Sequence, residues 1–264
     1  MVFEIIDIII PTFNRAEKII QTLISIQESN YPKDKLIVYI IDDCSTEDLS
    51  KLKDFVKRCK LKIKLLKTQK NSGPANARNL GVKNSNSKFI FFTDDDCLVT
   101  KDIFNLQMRF FEKHPNVFGI GGELVPKDNN FYSRIEILKD KILGISNRKE
   151  AIGRGLQVGY TCNMIYRREV FEKCGFFDEK FKIPAGEDKE FKERVEKKFD
   201  LAFLPLKVIH NHKYNFSYIL SILYKQGLDK MKPGNNFFAV IFIIFLLPLI
   251  FFKITKKVIL YRIK

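Results

Sequence analysis

Three consecutive aspartates, Asp94, Asp95 and Asp96, close the apolar run Lys88-Phe-Ile-Phe-Phe-Thr93. Carboxylates this close repel one another unless a cation or a set of donors offsets them, and a hard, oxygen-ligated divalent metal is the usual solution. The plainer alternative is an acidic turn capping a helix that begins near Asp102. Other chemistry-bearing groups follow apolar runs in the same way: Pro11-Thr12-Phe13-Asn14-Arg15 after the first and Asp42-Asp43-Cys44-Ser45 after the second. The segment from Asn71 through Gly73, Pro74 and Arg78 to Gly81 opens a helix. Its free backbone donors and Arg78 suit a diphosphate, though capping alone also explains them. Gly186-Glu187-Asp188 stands at another helix start, where the dipole favours carboxylates and where Asp188 could take a proton from an attacking hydroxyl. In Val208-Ile-His210-Asn-His212 an imidazole could be structural or a further metal ligand.

These groups share a site only if the elements carrying them are parallel strands, whose C-terminal ends lie on one edge. Short apolar runs alternating with amphipathic segments predict that arrangement. Strands are expected at Ile5–Ile10, Leu36–Ile41, Leu61–Leu66 and Phe89–Phe92, with helices over 17–29, 46–59 and 74–82. Beyond Asp96 the pattern turns mixed. A helix at 102–113, a strand at 117–125 and a helix at 131–143 precede a glycine-bearing loop at 153–159. A strand at 161–166, a short helix at 168–174, a helix at 187–198 and a strand at 201–209 broken by Pro205 complete it. On strand alternation, Asp95 points away from Asp94 and Asp96 and matters least for a metal.

The chain has 264 residues, 45% of them hydrophobic, which suits one large domain with an appendage and excludes a disordered protein. A formal charge of +15 implies attraction to anions: nucleotide phosphates, an acidic membrane surface or nucleic acid. The lysines are spread along the chain and no nucleic-acid motif is present, so no nucleic-acid partner is expected. Five cysteines without a CxxC pair suit a reducing compartment, and the N-terminus lacks a signal-peptide pattern, so a cytoplasmic body is expected.

The segments Asp7-Ile-Ile-Ile-Pro-Thr-Phe-Asn-Arg15, Ile41-Asp-Asp-Cys-Ser-Thr46, Gly73-Pro-Ala-Asn-Ala-Arg-Asn-Leu-Gly81 and Phe92-Thr-Asp-Asp-Asp-Cys97 occur in register with three later ones. These are Asn163-Met-Ile-Tyr-Arg-Arg168, Gly175-Phe-Phe-Asp178 and Gly186-Glu-Asp188. Together they resemble the family 2 glycosyltransferases over residues 5 to 230. The resemblance implies the GT-A fold, an α/β architecture with a Rossmann-like, mostly parallel central sheet flanked by helices. It implies a catalytic domain over 1–212, with 1–100 as nucleotide-binding half and 101–212 as acceptor-binding half. The implied activity is inverting transfer of a sugar from a nucleotide-diphosphate donor, UDP-linked by the family's preference, to a hydroxyl, with Mn2+ or Mg2+ as cofactor. Position by position, Pro11, Thr12, Arg15, Asp43, Arg78, Asp94 and Asp95 would serve the donor. Asp96, Asp94 and His210 would hold the metal. Asp188 would be the base with Glu187 beside it, and Gly122, Asn163 and Glu187 would face the acceptor. Where the family has Gly-Gly-Phe-Asp, this chain has Gly175-Phe-Phe-Asp178. The competing readings are a sugar nucleotidyltransferase, which would carry a glycine-rich basic loop after its first strand, and a catalytically silent membrane-surface binding protein.

Residues 213–264 form the expected appendage. Tyr214 to about Leu228 is amphipathic, and Phe237–Phe252 is wholly apolar with lysines and arginines on both sides. As a helix this run would reach about 24 Å, short of a hydrocarbon core of about 30 Å, so a re-entrant or in-plane helix on the cytoplasmic side fits better than a single crossing. A lipid-linked or glycan acceptor follows from that location. Full-length protein is expected to sediment with anionic vesicles, while a version ending at Lys232 stays in the supernatant; equal sedimentation of both would contradict the membrane role.

Overall fold

A computed structural model describes residues 3–142, 149–156, 158–181, 186–218 and 220–221. The chain divides into two compact units, Met1–Lys213 and Tyr214–Lys264. The apolar run Phe237–Phe252 and most of the amphipathic segment before it lie outside the described residues. No helix among the described residues is long and apolar enough to cross a membrane.

The first unit is built on one nine-stranded sheet. Its strands are β1 (Ile6–Thr12), β2 (Leu36–Asp42), β3 (Lys62–Lys67), β4 (Phe89–Phe92), β5 (Cys97–Val99), β6 (Val117–Pro126), β7 (Ala151–Gly153), β8 (Met164–Arg167) and β9 (Asp200–His210). They are ordered β3-β2-β1-β4-β8-β6-β9-β5, with β7 also paired to β9. Strands β1, β2, β3, β4, β6 and β9 run one way; β5, β7 and β8 run against them. The mostly parallel sheet expected from the alternating pattern is therefore present.

Strand periodicity explains how this sheet carries a layer on each face. Ile6, Ile8 and Ile10 of β1, Val38 and Ile40 of β2, and Phe89 and Phe91 of β4 join one core, with Ile19, Leu23 and Ile26 of α1 (Ala16–Gln27), Leu52 of α2 (Ser50–Arg58) and Phe104 of α4 (Ile103–Lys113). The alternate residues Ile9, Tyr39, Ile41, Ile90 and Phe92 join the other. That second core includes Val82 of α3 (Pro74–Asn84), Phe171 of α6 (Glu169–Cys174) and Phe191 of α7 (Glu187–Glu196). Strands covered on both faces read as near-continuous apolar runs, as β2 and β4 do, with β1 interrupted only by buried Asp7 before its C-terminal Pro11-Thr12. Helix α5 (Phe131–Ile142) completes the set.

Three differences from the sequence reading bear on the site. The acidic turn leads first into β5, three residues too short for a pattern to reveal, which pairs antiparallel with the end of β9. A further short strand, β7, ends at Gly153, where the expected glycine-bearing loop begins. Pro205 does not end β9: pairing with β6 passes from Gly121↔Phe203 to Glu123↔Lys207, so the extra residues around the proline form a bulge. The Leu206 carbonyl on this bulge accepts a 2.9 Å hydrogen bond from Asn163 Nδ2.

The crossing of β6 with the segment before β8 leaves no room for side chains. A methyl group on Gly121 would meet the Val158 carbonyl oxygen at 1.7 Å, whereas one on Gly155, at φ +69°, would meet nothing within 4 Å. Gly121→Ala is expected to cost about 3 kcal/mol through overpacking. Gly155→Ala should cost about 1 kcal/mol through its backbone conformation alone. Chemical denaturation of the two variants checks this ranking, and equal midpoints would contradict it.

Candidate active site

The order β2-β1-β4 places a topological switch between β1 and β4, where open α/β sheets bind ligands beyond the strands' C-terminal ends. The loop after β1 and the turn after β4 meet across it. Arg15 Nη1 lies 3.0 Å from Asp95 Oδ1 and 3.1 Å from Asp96 Oδ2, and Thr12 Oγ1 donates to Asp95 Oδ2 at 2.8 Å. The expected alternation therefore stops at the end of β4. In the turn that follows, Asp95 and Asp96 face the same guanidinium instead of opposite sides. Asp95 is buried, which raises its carboxyl to about 6 despite Arg15.

Asp96 is the most heavily countercharged of the three. Besides Arg15, its carboxylate has Lys18 Nζ at 3.6 Å, His210 Nε2 at 3.4 Å and His212 Nδ1 at 3.5 Å. Burial works to raise its carboxyl, but hydrogen bonds from the two histidines and the charge of Arg15 prevail and hold it well below the usual range. Both imidazoles arrive on the end of β9: Cys97 of β5 is in register with His210, and the Asn211 amide donates to the Asp96 carbonyl at 2.7 Å. Asp96, His210 and His212 offer ligand atoms all within 4.8 Å of one another. One carboxylate and two imidazoles fit a divalent transition ion. His212 was absent from the metal set expected from the sequence, and its spacing of two from His210 was the available signal. Asp94, expected in that set, belongs to another group.

Asp94 instead accepts a 3.1 Å hydrogen bond from Arg78 Nη2, and Arg78 Nη1 donates to Glu187 Oε1 at 2.9 Å. Arg78 and Glu187 are buried, whereas the Asp94 side chain keeps 37% of its surface exposed. Arg78 was expected beside a diphosphate; in the structure each of its terminal nitrogens donates to one carboxylate, which ties the β4 turn to the start of α7. Burial works to lower the Arg78 pKa, but the charges of Asp94 and Glu187 outweigh it and the guanidinium is raised. Burial likewise raises the Glu187 carboxyl, with Arg78 offsetting part of the effect. Asp188, the next residue, is partly exposed; its Oδ1 accepts from the Lys189 amide at 2.8 Å and Lys192 Nζ lies 3.9 Å from Oδ2.

The remaining expected residues hold the loops. The Asp43 carboxylate accepts from Thr68 Oγ1 at 2.9 Å and from the Gly73 amide at 2.8 Å, fixing the entry to α3. Pro11 lies in β1, paired with Ile41. Gly122 of β6 and Asn163, in the helical turn before β8, were expected on the acceptor side and pack against each other and β9. Asn163 Nδ2 donates to the Glu123 and Leu206 carbonyls at 2.9 Å each, and a methyl group on Gly122 would meet Leu206 O at 2.4 Å. Sequence reasoning missed Lys18, Thr22, whose hydroxyl donates to the Asp95 carbonyl at 3.0 Å, and the capping residue Glu47, which accepts from the Ala16 amide at 2.6 Å.

A model of the family described as glycosyl transferase family 2 matches residues 7–175, more than half the chain, including Arg15, Arg78 and the acidic turn but not Glu187, His210 or His212. The chain belongs to glycosyl transferase family 2. An uncharacterized glycosyltransferase of Rickettsia bellii is 40% identical over 113 residues, 43% of this chain and 16% of that protein. Glycosyltransferase AglE of Haloferax volcanii is 25% identical over 202 residues, 75% of this chain and 64% of that protein. Poly(ribitol-phosphate) beta-N-acetylglucosaminyltransferase TarS of Staphylococcus aureus is 29% identical over 127 residues, 46% and 22% respectively. The chain thus spans less than a quarter of the length of the Rickettsia and Staphylococcus proteins. Among solved structures, mannosyltransferase PcManGT of Pyrobaculum calidifontis, in complex with GDP-Man and Mn2+, aligns with a TM-score of 0.66 at 20% identity, covering 85% of this chain and 62% of that one. TarS in complex with UDP-GlcNAc aligns at 0.58 and 22%, covering 80% and 57%. These likenesses give the family 2 glycosyltransferase the GT-A fold.

In this family 2 chain the Arg78–Glu187 pair is buried, so removing one partner strands the other charge. Arg78→Met is expected to lower stability by about 3 kcal/mol. Adding Glu187→Met should recover at least half of that loss, because no unpaired buried carboxylate is left. Chemical denaturation of the single and double variants reads this directly; additive losses would contradict it.

Proposed function

We propose that the chain transfers a sugar from a nucleotide-diphosphate donor to a hydroxyl of a glycan or lipid-linked acceptor, with inversion at the anomeric carbon. The observation that carries this reading is the meeting of Arg15, Asp96, His210 and His212 at the β1/β4 switch. A cationic rim beside a metal-suited donor set matches the two halves of a diphosphate's chemistry. Asp96, His210 and His212 would hold a divalent ion, and an imidazole-rich set favours Mn2+ over Mg2+. When bound, such an ion offsets the charge of the diphosphate.

The chain's own groups account for the rest of the chemistry. Arg15 and Lys18 are partly exposed at the rim and can turn from Asp96 toward phosphate oxygens. Asp188 stands at the start of α7 with an accessible carboxylate, next to Glu187, which Arg78 anchors to the acidic turn. It takes the proton of the acceptor hydroxyl as that oxygen attacks the anomeric carbon. The bond from that carbon to the donor's phosphate oxygen breaks on the opposite face, and the nucleoside diphosphate leaves with the bonding pair. One displacement inverts the centre and needs no covalent intermediate.

A UDP-linked donor is supported by TarS, whose structure was obtained with UDP-GlcNAc, and a cell-surface polysaccharide product by the names of TarS and of a putative teichuronic acid biosynthesis glycosyltransferase of Bacillus subtilis. The cationic flanks of Phe237–Phe252 support action at the cytoplasmic face of a membrane. Asp188→Asn is expected to reduce transfer at least a hundredfold, roughly the loss of a general base, with UDP affinity within about twofold of the parent. A nucleotide-sugar turnover assay with Mn2+ checks this. Parental turnover in the variant would remove Asp188 from the mechanism, and absence of metal-dependent turnover with every nucleotide sugar would overturn the activity.

A further inference from the structure

A second ligand set adjoins the histidine set at the acidic turn, where Cys97 Sγ lies 4.0 Å from the Asp96 Oδ1 that His210 also approaches. Cys97 follows the turn in β5, and Cys162 lies in the helical turn Thr161–Asn163 just before β8. Both thiols are buried and unoxidised. Their sulfurs and a carboxylate oxygen of Asp94 lie within 4.8 Å of one another. A tetrahedral zinc ion, with sulfur at about 2.3 Å and oxygen at about 2.0 Å, holds its ligand atoms roughly 3.5 to 3.8 Å apart. Contraction by at most about 1.3 Å, well within side-chain rotation, closes the gap. The Asp94 side chain is partly exposed, whereas the two thiols are buried.

We propose that Cys97, Cys162 and Asp94 form a site for a thiophilic divalent ion, Zn2+ or Cd2+, separate from the Asp96–His210–His212 set. The two sets differ in softness: two sulfurs favour thiophilic zinc or cadmium, whereas two imidazoles and a carboxylate form a harder set that offers no sulfur to the ion. Binding displaces one proton from each thiol and leaves a fourth position open on the cleft side. The ion also competes with Arg78 for Asp94, which ties its occupancy to the link between the acidic turn and α7.

Cadmium is the probe, because thiolate ligation produces an ultraviolet charge-transfer absorption that carboxylates and imidazoles do not. Titrated into reduced full-length protein, it is expected to give this band with an endpoint at one equivalent. The triple variant Cys44→Ser, Cys59→Ser, Cys174→Ser keeps the site intact and should give the same band and endpoint. Equimolar Zn2+ should suppress it, and His210→Ala with His212→Ala should leave it unchanged. Cys162→Ser should reduce the band at one equivalent to less than half. No band in the triple variant, or an undiminished band in Cys162→Ser, would overturn the proposal.

Discussion

Three carboxylates in consecutive positions, two of them buried, can exist at the edge of this sheet only because cations are delivered to them from elsewhere in the chain. Arg15 reaches Asp95 and Asp96 from the loop after β1; Lys18 on the first turn of α1 reaches Asp96, beside ring nitrogens of His210 and His212 at the end of β9; Arg78 on α3 reaches Asp94. Burying an ion costs several kcal/mol unless it is paired and hydrogen-bonded, so each delivery constrains the element that makes it. The electrostatic demand of one turn thereby sets the positions of α1, α3 and the end of β9.

That constraint also joins the two halves of the first unit. The parallel β1–β4 block supplies the acidic turn, but the histidines and Glu187 come from more than ninety residues further along. Arg78 spans the junction, with one terminal nitrogen on Asp94 and the other on Glu187. A change at the turn therefore reaches the start of α7, where Asp188 sits, through a single guanidinium. The coupling is direct contact of a buried guanidinium with buried Glu187 and part-exposed Asp94, and does not require motion along the sheet.

Much of this was legible in the residues. Near-continuous apolar runs marked β1, β2 and β4 as strands covered on both faces, and their polar C-terminal ends marked the crevice. The family resemblance drew attention to Asp96 and the Glu187–Asp188 pair, which Arg78 links through Asp94 and Glu187. The illegible parts depend on distance between segments remote in sequence. Cys97-Leu-Val99 is too short to show a period, and without β5 nothing carries the register that sets His210 beside Asp96. Strand alternation failed for Asp95 because β4 ends at Phe92 and a turn obeys no two-residue repeat. Arg78 carries the charge expected of a diphosphate ligand, but only the fold reveals that two carboxylates already hold it. Gly122 and Asn163 lie against a bulge in β9 that a proline marked as an interruption without showing its shape.

A metal-assisted nucleoside diphosphate site at the countercharged turn, as proposed above, requires nucleotide affinity that depends on both the metal and the histidines. Equilibrium titration of the full chain with UDP, and with GDP as comparison, in the presence and absence of Mn2+ tests it most directly when repeated on the His210→Ala, His212→Ala variant. The account predicts that Mn2+ tightens binding of at least one nucleotide to the parent by tenfold or more, about 1.4 kcal/mol, and that the variant loses this enhancement. Affinity indifferent to Mn2+ in the parent, or an enhancement that survives loss of both histidines, would contradict it.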